Sequence, residues 1–199
     1  ELLGQSARVG YSFQDFASHA LPPRQALTMI FPTSFGALPE SGALPYFGAV
    51  NQTELTGYVG LLGLMLTALG VVAAKKKALA WFWLGVALLA FLLAMGDATR
   101  LARLIYHLPI LNSFRAPARH FIELTMAASV LSGLAVAAIL RKEVSVRLIR
   151  RTIMIAGAAI VICVILLLVN SSYMSALAAQ KGVGQLSLLP WKNRAVGIP

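Results

Sequence analysis

His107–Leu140 reads HLPILNSFRAPARHFIELTMAASVLSGLAVAAIL. From Leu124 to Leu140 it runs 17 residues without a charge, extended outward by Phe121 and Ile122. It is crowded with small residues: Ala127, Ala128, Ser129, Ser132, Gly133, Ala135, Ala137 and Ala138. A helix needs about 20 apolar residues to cross the hydrocarbon core of a bilayer, and small side chains let membrane helices approach closely. The run is therefore expected to span a membrane at about 121–140, packed against other helices. The segment before it is polar, with Arg115 and Arg119, Pro109 and Pro117, and a histidine at each end, His107 and His120.

The composition agrees with a membrane protein. Of 199 residues, 58% are hydrophobic and 12% charged, with a mean hydropathy of +0.77, far from the balance of a soluble domain. Three more charge-free runs read as spans. Leu55–Ala74 covers 20 residues, with Gly57, Gly60 and Gly63 placed to form one close-packing stripe. Ala78–Gly96 has Trp81 and Trp83 beside the lysines that precede it, as in an aromatic belt. Thr152–Asn170 is the fourth. The expected fold is thus all-α and polytopic: four transmembrane helices, at about 55–74, 78–96, 121–140 and 152–170, with interfacial helices and outer loops.

Residues 1–54 contain no run long and charge-free enough to cross, and read as an extracytoplasmic or interfacial segment. Within it, Gln14–Thr28 reads as an amphipathic helix broken at Leu21, Pro22 and Pro23, and Ile30–Asn51 as a loop rich in Gly, Pro and aromatics. Between the second and third spans lies an interfacial segment, 97–120. There Arg100, Arg103 and His107 fall at helical spacing opposite Leu101, Leu104, Ile105 and Leu108, with Asp97 as the expected N-cap and Pro109 as the stop. Residues 171–199 form an outer tail, polar at first, then LSLLPWKNR. The chain opens on Glu1, without the basic flank and cleavage site of a signal peptide; it reads as part, or a processed form, of a longer protein.

The formal charge is +10, from 17 Lys and Arg against 7 Asp and Glu. In so apolar a chain the basic excess points to topology rather than nucleic acid, for which no motif is present. Lys75, Lys76 and Lys77 follow the first span, and five basic residues lie within Arg141–Arg151. The positive-inside rule puts both loops in the cytoplasm, and residues 1–54, 97–120 and the tail outside. Four arginines between 97 and 120 run against that rule and call for a reason.

One reason is anion binding. Pro117 suits the first helical turn, where its missing amide is not needed. The amides and positive dipole end of the third span would then point outward beside Arg115 and Arg119. Helix N-termini of this kind bind phosphate, and arginine forks match phosphate oxygens. The expected site is a lipid-phosphate site of Arg115, Arg119 and His120, with Arg103 and His107 across from them. The competing reading makes the arginines head-group anchors, with Arg119 paired to Glu123 one turn on. Glu123 is then a structural partner or an acid in its own right; Asp15 and Glu54 read as solvated loop charges.

The histidines lack metal-ligand spacing, and Cys163, within the apolar run IVICVILLLV, reads as a packing residue. No nucleophile elbow, Walker motif or His/Glu metal motif occurs. The residues leave catalysis unassigned and no cofactor evident; a divalent metal would have to be held by residues outside this chain.

The order LPPRQALTMIFPTSFG, YFGAVNQTELTGYVGLLGL, a basic turn, AMGDATRLARLIYHLPILNSFRAPARH and a small-residue helix resembles the C-terminal part of the transmembrane region of YfhO-like bacterial membrane proteins. The likeness covers about Leu2–Leu140 and is most specific at Pro22 and Pro23, Asn51–Tyr58 and Leu108–Arg119. These proteins look like GT-C type glycosyltransferases, which use polyprenyl-phosphate sugars on the outer face of the bacterial inner membrane. The resemblance implies that the parent protein transfers sugar, and that its catalytic acidic loop lies upstream of this chain. This chain would contribute lipid-phosphate contacts and helical scaffold, with membrane lipids, a polyprenyl-phosphate sugar and the N-terminal transmembrane region of the same protein as partners. Other readings are a non-catalytic scaffold or transporter fragment, and a membrane subunit that binds a protein partner.

The topology is checked by cysteine accessibility in intact cells. A cysteine at Ser113 is expected to react with an impermeant thiol reagent and one at Val146 not to; labelling at Val146 reverses the orientation.

Overall fold

The computed structural model describes residues 12–37, 45–55, 57–108 and 117–181. Their α-helices are α1 (Phe13–Phe16), α2 (Leu61–Ala73), α3 (Lys77–Ala94), α4 (Arg100–Tyr106), α5 (Phe121–Leu140), α6 (Val146–Val169) and α7 (Ser171–Gln180). Short 3-10 turns occupy Pro23–Met29, Gln52–Leu55, Gly96–Ala98 and Pro117–His120. No strand forms among the described residues, which contain two isolated bridges, Ser34 with Gly36 and Ala37 with Pro45.

Among the described residues, three helices are long and apolar enough to cross a membrane: Lys77–Ala94, Pro117–Leu140 and Val146–Val169. Leu55–Ala74, expected as the first span, is not among them. Its helix covers only the 13 residues Leu61–Ala73, about 20 Å against a hydrocarbon core of about 30 Å. Gly60 sets the start, because its φ of 79° lies in the left-handed region that glycine enters readily and a helix excludes. Absence of charge permits a helix but does not require one.

α5 is the centre of the bundle and packs against both α2 and α3. It buries Phe121, Leu124, Ala127, Ala128, Leu131, Ala135 and Ala138, so small residues make the close contacts, as expected. The expected stripe of Gly57, Gly60 and Gly63 does not form, since Gly57 and Gly60 precede the helix. The tight approach is at Gly70 instead, where a Cβ would overlap the Leu131 carbonyl oxygen. Beside it, Thr67 Oγ1 lies 2.8 Å from the Gly63 carbonyl, 3.1 Å from that of Ala128 and 3.2 Å from Ser132 Oγ; Ser132 Oγ donates back to Gly63 O at 3.1 Å. Such interhelical bonds average about 0.6 kcal/mol in a membrane protein.

One end of the bundle carries the basic loops. Lys75 pairs with Glu143 at 3.7 Å, and Ala74, Ala80 and Leu131 form a buried cluster nearby. The loop after α5 is shorter than expected: Ser145 caps α6, its Oγ accepting from the Leu148 amide, so Arg147, Arg150 and Arg151 stand on the first turns of that helix. α6 buries none of its residues, and Cys163 is half-buried on it.

The other end is covered by the N-terminal segment. Leu21, Leu55, Ala90, Ala94, Ala118, Phe121 and Leu124 form a buried cluster there. The Leu21 amide donates to Ala94 O at 2.8 Å. The break expected at Leu21–Pro23 is present, with α1 before it and a 3-10 turn after. Asp97 does not cap α4; Thr99 takes the N-cap position, with its hydroxyl donating back to Leu92 O and Gly96 O. The tail, read as polar, begins with α7, whose Met174 and Ala178 bury against Phe35 and Phe47. Arg24 adds a contact over the Tyr173 ring, 4.2 Å from its centroid.

Gly70→Ala is expected to destabilise the bundle by about 1–3 kcal/mol, as overpacking does. Gly85→Ala, where a Cβ meets nothing within 4 Å, should be neutral or slightly stabilising. Denaturant unfolding in detergent, followed by circular dichroism, separates the two; equal effects would remove Gly70 as the packing pivot.

Candidate functional site at the N-terminal end of α5

Pro117 opens the helix as expected, in a 3-10 turn that runs into α5. Pro117 and Ala118 are buried, so the turn is fixed from beneath and Arg119 and His120 are carried at its rim. The Ala118 amide is oriented toward His19 O at 3.4 Å. One of the first-turn amides expected to face a ligand is thereby already engaged.

Arg119 does not pair with Glu123. Its Nε and Nη2 lie 3.4 Å from the two carboxylate oxygens of Glu54, a two-pronged arrangement. Glu54 is therefore not a free loop charge. It is held on the turn Gln52–Leu55, where Leu55 is buried in the cluster with Ala118 and Phe121 and the Glu54 amide donates to Asn51 O. The Arg119 side chain remains 62% exposed, that of Glu54 28%. Glu123 instead faces His120, its Oε1 lying 3.5 Å from Nδ1. Two arginine–carboxylate contacts at 3.4 Å are long for charge-assisted bonds, and guanidinium N–H groups are left for another oxygen acceptor.

Arg103 and His107 are placed differently from the expectation. The Arg103 guanidinium lies over the Phe13 ring at 5.8 Å. Tyr106 meets Phe13 edge-to-face and Phe16 at a tilt, at 5.5 Å each, and His107 packs edge-on to Tyr106. Among the described residues no hydrogen bond or ion pair joins Arg103 or His107 to Arg119 or His120. They belong to an aromatic patch between α1 and α4. Arg115 lies outside the described residues. Asp15 is exposed, as a solvated charge would be, and also closes a capping box with Ser12 at the start of α1.

Beside Glu54 the structure adds polar features that no local pattern announced. Gln25 is 2% exposed and donates from Nε2 to the Tyr46 hydroxyl at 2.9 Å, which in turn donates to Val50 O. Burial raises the Tyr46 pKa above its ordinary value, with the Gln25 hydrogen bond acting in the opposite direction. Thr28, Pro32, Tyr46, Gln52, Leu55 and Tyr58 line a cavity of about 90 Å³. Among the described residues no group of three His, Cys, Asp or Glu comes together, and no nucleophile–base pair is present at the rim.

A double-mutant cycle with Glu54→Gln and Arg119→Gln is expected to give a coupling below about 1 kcal/mol, the range for exposed pairs. A coupling of several kcal/mol would make the pair a buried structural lock and leave Arg119 no capacity for a ligand.

No family model, curated protein or solved structure matches this chain.

Proposed function

We propose that the chain is the lipid-phosphate-binding part of a GT-C type glycosyltransferase of the bacterial cytoplasmic membrane, acting with a polyprenyl-phosphate sugar on the outer face in cell-envelope glycosylation. The observation that carries the reading is Arg119: a largely exposed guanidinium at the N-terminal end of a membrane helix, on the face away from the lysine loop. Glu54 orients its fork while the remaining donors stay open to a phosphate. His120 adjoins it, and Arg115 is two residues before Pro117 in the chain. In sugar transfer, cations at this place would stabilise the charge that grows on the leaving phosphate. The resemblance to YfhO-like proteins supplies the sugar-transfer part of the reading and assigns the catalytic acid elsewhere.

Four crossings fit this reading. The irregular residues 57–60 lead into α2; Gly57 is buried against Phe121, while Tyr58 is exposed. Irregular backbone is tolerated at membrane depth where it is covered by protein, as at Gly57.

The Glu54 pair also favours a second reading, in which Arg119 pins the N-terminal segment to the bundle of a non-catalytic membrane scaffold. Binding of a polyprenyl phosphate to the full chain in nanodiscs decides between them. Arg119→Gln is expected to weaken binding about tenfold, the worth of a charge-assisted hydrogen bond, with the melting temperature little changed. Unchanged affinity with a lowered melting temperature would leave the scaffold reading standing.

A further inference from the structure

A groove of about 410 Å³ runs between α2 and α6. Ala68 and Val72 form part of one wall and Ala156 and Ala159 part of the other, and Ile30 of the N-terminal segment joins the lining. Ala68, Ala156 and Ala159 leave room between the larger apolar side chains of the two helices. Of the lining residues only Arg151 and Thr152 are polar, and Thr152 donates its hydroxyl to Leu148 O at 3.1 Å. Arg151 is exposed and has no carboxylate partner among the described residues. Glu143, the one acid between Arg141 and Arg151, is engaged by Lys75.

The dimensions and the charge identify an occupant. α2 is about 20 Å long, and one leaflet contributes about half of a 30 Å hydrocarbon core, so the groove has the reach of a single lipid chain. At the end marked by Val72 and Leu148, where the Lys75–Glu143 pair places the basic loops, a guanidinium stands where a head-group phosphate would lie. A second protein helix would leave that guanidinium unpaired unless it brought its own acid. An anionic phospholipid satisfies both ends of the groove at once.

We propose that the α2–α6 groove holds one acyl chain of an anionic phospholipid from the leaflet on the basic side, with its phosphate on Arg151. The site is separate from the Arg119 rim and does not rest on the sugar-transfer reading.

The test titrates the full chain, in neutral detergent, with phosphatidylglycerol or phosphatidylcholine and follows bound lipid by native mass spectrometry. The wild type is expected to bind phosphatidylglycerol about fivefold more tightly, the effect of one basic residue at a lipid surface. Arg151→Gln should abolish that preference and Arg151→Lys keep most of it. Arg147→Gln, on the same turns of α6 but outside the lining, should keep it as well. Ala156→Leu, which fills the groove, should weaken both lipids while circular dichroism shows the helices intact. The proposal is overturned if the wild type shows no preference, if Arg147→Gln loses as much as Arg151→Gln, if Ala156→Leu changes nothing, or if the chain forms a dimer that excludes lipid.

Discussion

Gly70 of α2 lies against the Leu131 carbonyl of α5 more closely than any side chain would permit. Between helices in lipid the surrounding chains are as apolar as leucine, so association depends on such close packing and on hydrogen bonds across the interface. Thr67, Ser132 and the Gly63 carbonyl provide those bonds within two turns of Gly70. With α2 and α3 both seated on it, α5 is fixed along its length. Its first turn can then serve as a floor for the N-terminal segment, which buries Leu21 and Leu55 beside Ala118 and Phe121. The position of Glu54 opposite Arg119 is a consequence of that floor.

The two ends of the bundle handle their cations differently. At the α5 N-terminus, Arg119 is paired with a carboxylate 65 residues earlier in the chain, and Arg103 lies over an aromatic ring. On the opposite side, the loops carry more basic residues than acids can balance, and Lys75 takes Glu143. The first end thus presents an oriented fork at a rim, and the second presents Arg151 at the mouth of an apolar groove. On the two proposals above, each would take a phosphate, from molecules in opposite leaflets.

The sequence made α5 legible to the residue at both ends, because its charge-free run, its small residues and Pro117 all point to the same helix. The helix of the first run starts later than read, at Leu61, since hydropathy counts apolar residues and does not see that Gly60 takes a left-handed φ. The spacing of Arg119 and Glu123 suggested a pair one turn apart, but the partner came from a turn that only the tertiary fold brings near. Asp97 had the chemistry of an N-cap, yet Thr99 holds the position. Arg103 and His107 were read as sharing a face toward the rim, but Arg103 lies over Phe13 and His107 packs on its neighbour Tyr106. Nothing in local spacing announced Gln25, Tyr46 or the α2–α6 groove, all of which depend on contacts between distant segments.

The proposed lipid-linked phosphate at the α5 N-terminal rim is tested by cross-linking a photoactivatable polyprenyl phosphate to the full chain in nanodiscs, with the modified peptides mapped by mass spectrometry. Cross-links are expected on Pro117–Glu123 and on Gln52–Leu55, competed away by unlabelled polyprenyl phosphate. Cross-links confined to Arg141–Arg151, or insensitive to competitor at the rim, would contradict it.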